Sequence, residues 1–98
     1  MTKSDLKTGM IVVNEISEYL MVFKDVYTKE AGGDFLVQMD TEGMDAEGWD
    51  ELDSYDENLM NTSPCCQHLN IVKVLTFKHP SSFFVKFDLN NMNVIWER

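Results

Sequence analysis

The residues most able to do chemistry in this sequence are carboxylates concentrated in one stretch. Residues 34–57 carry ten acidic side chains, and no Lys or Arg occurs between Ala31 and Val72. Like charges at this density repel one another, which favours a solvated or partner-facing segment over a packed one. Such a segment is suited to binding a basic protein surface or a cation, or simply to keeping the protein in solution.

The acidic stretch does not match a dedicated calcium site. Residues 40–51 begin with Asp40 and end with Glu51, as an EF-hand loop would. That loop also needs an oxygen ligand at its fifth position and Gly at its sixth, where Met44 and Asp45 stand here. We therefore predict no metal site and no cofactor, and only adventitious weak binding of Ca²⁺ or Mg²⁺ stays open.

The cysteines and histidines are the other candidates for chemistry. Cys65 and Cys66 are adjacent, whereas a structural zinc site needs two to four residues between its paired cysteines. Adjacent side chains are expected to point apart, which predicts two free thiols in a reducing compartment. Nucleophilic catalysis would pair Cys66 with His68, or Ser82 with His79, but no third group supports either pair. We expect no catalytic residues and no enzyme activity.

Length and composition predict one small folded domain. The chain has 98 residues, of which 44% are hydrophobic, and its net charge is −9. That charge argues against direct binding of nucleic acid or of an anionic membrane, since both require a positive surface. The polar start of the chain lacks the apolar region of a signal peptide, which predicts a cytoplasmic protein.

The hydrophobic pattern predicts a mainly β fold. Strands are expected at residues 10–13, 19–27, 35–39, 71–77 and 92–96, and residues 83–89 fit either a strand or a helix. Gly32-Gly33 predicts an interruption of strand structure, and the composition of residues 61–68 predicts a loop. Trp49, Leu52, Tyr55 and Leu59 are spaced to share one face of one or two helical turns, with acids opposite. Together these features predict a small SH3-like barrel, or a strongly bent antiparallel sheet of five to six strands. The same features predict one short helical insertion, which is expected within an acidic insertion at about residues 40–59.

Four short segments resemble an uncharacterised group of small proteins from phages and prophages of Gram-positive bacteria. They are residues 5–10 (DLKTGM), residues 49–59 with Trp49 and LDSYDENL, residues 70–74 (NIVKV) and residues 94–98 (VIWER). The resemblance implies an SH3-like β-barrel and a phage-related origin. It brings no catalytic residues with it. The sequence departs from the group's usual Asn-Gly hairpin at residues 14–17 and in the loop that holds Cys65 and Cys66.

The first functional hypothesis is a non-enzymatic interaction protein whose acidic face binds a basic host protein. Its sharpest form is an inhibitor that imitates nucleic acid and occupies a basic groove of a host defence or nucleic-acid-processing protein. Trp49 and Tyr55 would anchor the partner, because Trp and Tyr are enriched at interface hot spots. An alternative for both is packing on the core. The predicted partner-binding residues are Asp45, Glu47, Trp49, Asp50, Glu51, Asp53, Tyr55, Asp56 and Glu57.

Two other classes of function fit the same composition. A small-molecule or nucleotide binder would hold an anionic ligand with lysines, and the candidates are Lys24, Lys73, Lys78 and Lys86. A structural or assembly component of a phage particle would use the domain as one face of an oligomer, so a homo-oligomer is also open.

Overall fold

The structure, a computed structural model, describes residues 1–27, 32–39, 46–78 and 89–98. Its framework is one antiparallel sheet of six strands in the spatial order β4-β3-β2-β1-β5-β6. The strands are β1 (Ile11–Asn14), β2 (Tyr19–Tyr27), β3 (Gly32–Met39), β4 (Ala46–Glu51), β5 (Ile71–Phe77) and β6 (Met92–Glu97). The first four strands follow one another across the sheet, and β5 then pairs on the far side of β1.

The centre of the sheet is apolar because β1 is covered on both sides. All four residues of β1 are buried, as its run of Ile and Val indicates. β1 pairs with β2 on one side, where Ile11 lies opposite Met21, and with β5 on the other, where Ile11 lies opposite Leu75. Alternate residues of these strands point to opposite faces of the sheet.

Each face of the sheet therefore has its own hydrophobic cluster. The first cluster is built on Val12, Leu20, Val22, Leu36 and Val74 and includes side chains from outside the strands. The second cluster contains Ile11, Val13, Met21, Leu75 and Met92, with partly buried side chains such as Phe23 and Met39 beside it. We call these two sides the first and second faces of the sheet.

The first face is covered by the connector between β4 and β5, which we define as residues 52–70. It begins with a 3-10 turn at Leu52–Ser54 and ends with a 3-10 run at Pro64–Leu69. Leu52, Tyr55 and Leu59 of the connector are buried in the first cluster. Another short 3-10 turn, at Lys3–Asp5, precedes Leu6, which belongs to the same cluster.

Four of the five strand pairings contain a register shift. The shift in β2 lies between Phe23 and Val26, where Asp25 adopts a φ of 57°. Extra residues of this kind bend a strand and increase its twist. Even so, the described strands form an open sheet with β4 and β6 at its edges, so a closed barrel is not shown.

Several predicted elements are confirmed. The predicted strands at residues 19–27 and 71–77 have the bounds of β2 and β5, and β5 lies inside the sheet. The predicted strands at residues 10–13 and 92–96 agree with β1 and β6 to within one residue at either end. The predictions for residues 40–45 and for residues 83–88 lie outside the described part of the chain.

Three local predictions are wrong. Gly32-Gly33 forms the start of β3 and does not interrupt strand structure, since Gly32 pairs with Tyr27. Residues 46–51, including Trp49, are a strand, and the helical insertion is reduced to 3-10 turns. Residues 61–68 include the 3-10 run that begins at Pro64. None of the helices in the described ranges is long and apolar enough to cross a membrane.

Candidate functional site

Three of the ten acidic residues of the stretch, Glu47, Asp50 and Glu51, lie on β4. This strand forms an edge of the described sheet. β4 pairs with β3 on one side, with Trp49 opposite Val37 and Asp50 opposite Leu36. An edge strand leaves a row of backbone N–H and C=O groups available for another chain. Within the described part of the chain, the edge therefore combines backbone groups that no strand pairs with the exposed side chains of Asp50 and Glu51.

Trp49 is the most exposed apolar side chain on this edge. It retains 62% of its accessible surface, and its ring meets Phe35 of β3 edge-on at a centroid distance of 5.2 Å and an angle of 82°. Phe35 and Trp49 lie on neighbouring strands and on the same face of the sheet, the second. An aromatic pair in this geometry is favourable beyond its buried area, so the indole is held in place while most of it faces solvent.

The carboxylates next to Trp49 are exposed and lie on both faces of the sheet. Asp50 is opposite Leu36, so it lies on the first face, while Glu51 is opposite Phe35 on the second. Asp53 is exposed on the 3-10 turn that follows. Within the ranges that the structure describes, the ion pair found is Lys73 with Glu97, at 3.1 Å. These three carboxylates therefore have no cationic partner there, and their charge is directed to solvent.

The carboxylates of Asp56 and Glu57 form hydrogen bonds with other parts of the protein. Oδ1 of Asp56 accepts hydrogen bonds from the backbone N–H of Asn58 at 2.8 Å and of Met60 at 3.1 Å. Both carboxylate oxygens of Glu57 lie within 3.2 Å of the Ser4 hydroxyl. Their role in the fold is therefore visible, although both side chains remain exposed.

Tyr55 belongs to the core instead of the binding surface. Only 1% of it is exposed, and its backbone forms a bridge with Asn61 in the connector. Burial raises the pKa of the Tyr55 phenol to about 12, against the opposing effect of a hydrogen bond with the Asn61 side chain. Negative charge on Asp50 and Glu18 adds to the increase. The prediction that Tyr55 contacts a partner is therefore wrong, and its alternative, packing on the core, is correct.

The predicted site is thus partly dispersed. The expected single face for Trp49, Leu52, Tyr55 and Leu59 does not exist, because Trp49 points to solvent while the other three are buried. Asp45 lies outside the described residues, and Glu47 is placed only as a position on β4. Sequence reasoning missed Phe35, since its contact with Trp49 depends on a strand pairing that no local pattern encodes.

The cysteine loop departs from the prediction that the two side chains point apart. Cys65 and Cys66 are both free thiols, and their Sγ atoms lie 3.3 Å from each other. Among the residues that the structure describes, no group of three or more His, Cys, Asp or Glu side chains could hold a metal ion. His79 and the serines beside it lie outside the described ranges.

The lysines predicted for an anionic ligand do not converge where they are described. Lys24 donates from Nζ to the carbonyl of Lys3 at 3.2 Å, and Lys73 is paired with Glu97. Lys78 is exposed, and Lys86 lies outside the described residues. No shared binding position for these amines is therefore visible.

Comparisons of the chain with protein-family models, with curated proteins and with solved structures gave no match. The resemblance to small phage proteins therefore stays a prediction.

Proposed function

We propose that the β4 edge binds a basic surface of a partner protein. Trp49 is the apolar anchor, and Asp50, Glu51 and Asp53 supply the negative field around it. The observation that carries the proposal is the exposed indole of Trp49, which the edge of Phe35 orients on a strand at the edge of the described sheet.

Charge and burial support the division of roles. Exposed carboxylates attract a basic surface over about 10 Å at 0.1 M salt, which speeds association and selects the partner. They contribute less to affinity than an aromatic side chain that becomes buried at the centre of an interface. Trp49 therefore provides most of the affinity, while Asp50 and Glu51 extend the attraction to both faces of the edge.

A narrower version adds imitation of nucleic acid. In that version the partner is a host nucleic-acid-binding protein, and the carboxylates occupy the groove that normally takes phosphates. This narrower version also proposes that the protein is of phage origin, that its sheet closes as in an SH3-like barrel, and that it acts in the cytoplasm. Duplex DNA should then displace the captured partner, whereas a partner that uses another basic surface should be retained.

The test begins with affinity capture from a Gram-positive cell lysate at about 50 mM and about 500 mM salt, since screening strengthens severalfold over this range. The retained protein is then purified, and its affinity for the wild-type chain and for four variants is measured. Trp49→Ala is compared with Tyr27→Ala, which removes an aromatic side chain that is 79% exposed on another strand. Asp50→Asn with Glu51→Gln is compared with Glu15→Gln combined with Asp25→Asn.

The two double variants change the net charge equally, so they separate position from total charge. We expect Trp49→Ala to weaken binding by at least about 30-fold, the effect of a hot-spot residue worth about 2 kcal/mol. The β4 double variant should lose affinity mainly at low salt, with a smaller change in the control. Equal losses in both double variants, or an unchanged affinity in Trp49→Ala, would refute the proposed site.

A further inference from the structure

The loop that carries Cys65 and Cys66 brings two thiols together at the surface. Cys65 is exposed and Cys66 is partly exposed, and neither belongs to a hydrophobic cluster of the fold. The Sγ atoms are 3.3 Å apart, and the Ser63 hydroxyl lies 3.1 Å from the Cys65 sulfur. The pair is therefore accessible, close and not used by the core.

Hydrogen bonds fix the backbone beneath the thiols. The N–H of Cys66 donates to the carbonyl of Ser63 at 3.0 Å, and Nε2 of Gln67 donates to the carbonyl of Asn61 at 2.7 Å. Asn61 is itself buried and tied to Asn70. These hydrogen bonds thus hold the backbone from which the two cysteine side chains extend.

The environment also favours a reactive thiolate. A hydrogen bond from the Ser63 hydroxyl, followed by one from the Cys66 thiol, lowers the pKa of Cys65. The Cys66 pKa is raised, chiefly because its thiol donates to Cys65. Cys65 is therefore deprotonated more readily than Cys66. The thiol proton of Cys66 is released when its own sulfur forms a bond.

The geometry is unfavourable for a disulfide between the two residues. Neighbouring Cα atoms are about 3.8 Å apart across a trans peptide, below the roughly 4.4–6.8 Å at which disulfides normally form. An atom that bridges the two sulfurs avoids this conflict. With bonds of about 2.3 Å, the length of a zinc–thiolate bond, the observed Sγ–Sγ distance corresponds to an angle of about 92° at the bridging atom.

An angle near 90° fits trivalent arsenic better than tetrahedral zinc. Tetrahedral zinc would need sulfurs about 3.8 Å apart at this bond length, together with two further ligands. Trivalent arsenic carries a lone pair and makes three bonds in a pyramid with angles close to a right angle. We propose that Cys65 and Cys66 form a two-thiol site that binds trivalent arsenicals as a chelate across both Sγ atoms.

The reaction is a ligand exchange without oxidation or reduction. With phenylarsine oxide as the probe, two arsenic–sulfur bonds form and the bonds between arsenic and oxygen break. The oxygen leaves as one water molecule with the two thiol protons. The phenyl group keeps the third arsenic bond, so no other protein ligand is required.

The experiment measures binding of phenylarsine oxide to the reduced protein by intact mass and by titration. The chain has only these two cysteines, so Cys65→Ser combined with Cys66→Ser is a thiol-free blank. Each single variant should bind at least about 100-fold more weakly, because the second bond of a chelate forms intramolecularly. A dithiol should remove the arsenical, whereas glutathione at equal thiol concentration should not. A single variant that binds as tightly as the wild type would overturn the chelate.

A second measurement tests whether the folded loop favours binding, or whether two adjacent thiols in any peptide would bind equally well. A ligand that prefers the folded state raises the midpoint of unfolding in proportion to that preference. We expect saturating phenylarsine oxide to raise the urea midpoint of the wild type and to leave the blank unchanged. An unchanged or lowered wild-type midpoint would show that the folded loop offers no advantage, and the proposal would fail.

Discussion

Replacing Tyr55 with Phe should remove a specific loss of stability at alkaline pH. The phenol of Tyr55 is buried, and its pKa is raised from 10.0 to about 12. Below about pH 10 the phenol is neutral in both the folded and the unfolded chain, so its contribution to stability is complete. Between about pH 10 and about pH 12 the unfolded chain loses this proton first, which favours unfolding.

The size of the effect follows from the shift. One pKa unit corresponds to about 1.4 kcal/mol, so the free energy of unfolding should fall by roughly 2–3 kcal/mol across this window. Tyr55→Phe has no proton to lose. It also lacks the hydrogen bond to Asn61, which should cost about 1 kcal/mol at every pH. The wild type should therefore be more stable at neutral pH and lose this advantage as the pH rises.

Urea unfolding at intervals from about pH 9 to about pH 12 measures the difference between the two proteins. Other groups that ionise in this range affect both proteins and cancel in the difference. Tyr27→Phe is the matched control, since it removes a hydroxyl from a ring that is 79% exposed, and it should keep the wild-type profile. Parallel losses in the wild type and in Tyr55→Phe would refute the reasoning from burial.

Substitutions at three further positions test the turns and the connector by urea unfolding at neutral pH. Ser17 has a φ of 62°, so Ser17→Gly should raise stability by up to about 1 kcal/mol, whereas Ser17→Ala should not. Asp56→Ala loses the acceptor for two exposed backbone N–H groups and should cost about 1 kcal/mol, while Asp56→Asn should retain most of it. Asn70→Ala leaves the buried N–H of Asn61 without its 2.7 Å acceptor and should cost about 1–3 kcal/mol. An Asn70→Ala variant with the same urea midpoint as the wild type would contradict this account.

The strands that the sequence predicts well are those whose local pattern agrees with their final surroundings. Val, Ile and aromatic residues run through β2 and β5, and such residues fit the pleated, half-buried surface of a sheet. The turn at Asp56 is equally local, because Asp side chains commonly accept hydrogen bonds from the backbone two residues later. In these segments, the local sequence pattern and the long-range pairing favour the same conformation.

The candidate site could be located but not assembled from the sequence. β4 contains Gly48 and three acids, which have low strand propensity, and it is a strand because it pairs with β3. The spacing of Trp49, Leu52 and Tyr55 resembles a helix by coincidence, since the chain leaves the sheet at Leu52 and crosses its first face. Which aromatic side chain remains exposed is therefore decided by long-range packing.

The position of β1 in the middle of the sheet has a consequence for how the chain folds. One neighbour of β1 follows immediately as β2, but the other begins only at Ile71, after the connector. Pairings that are distant in sequence form slowly because a long loop must close first. Until β5 arrives, the apolar edge of β1, with Ile11 and Val13, lacks the strand that later covers it. During synthesis at roughly 5–20 residues per second, most of the chain must leave the ribosome before that edge is protected. During this interval the uncovered edge of β1 exposes the unfinished chain to aggregation.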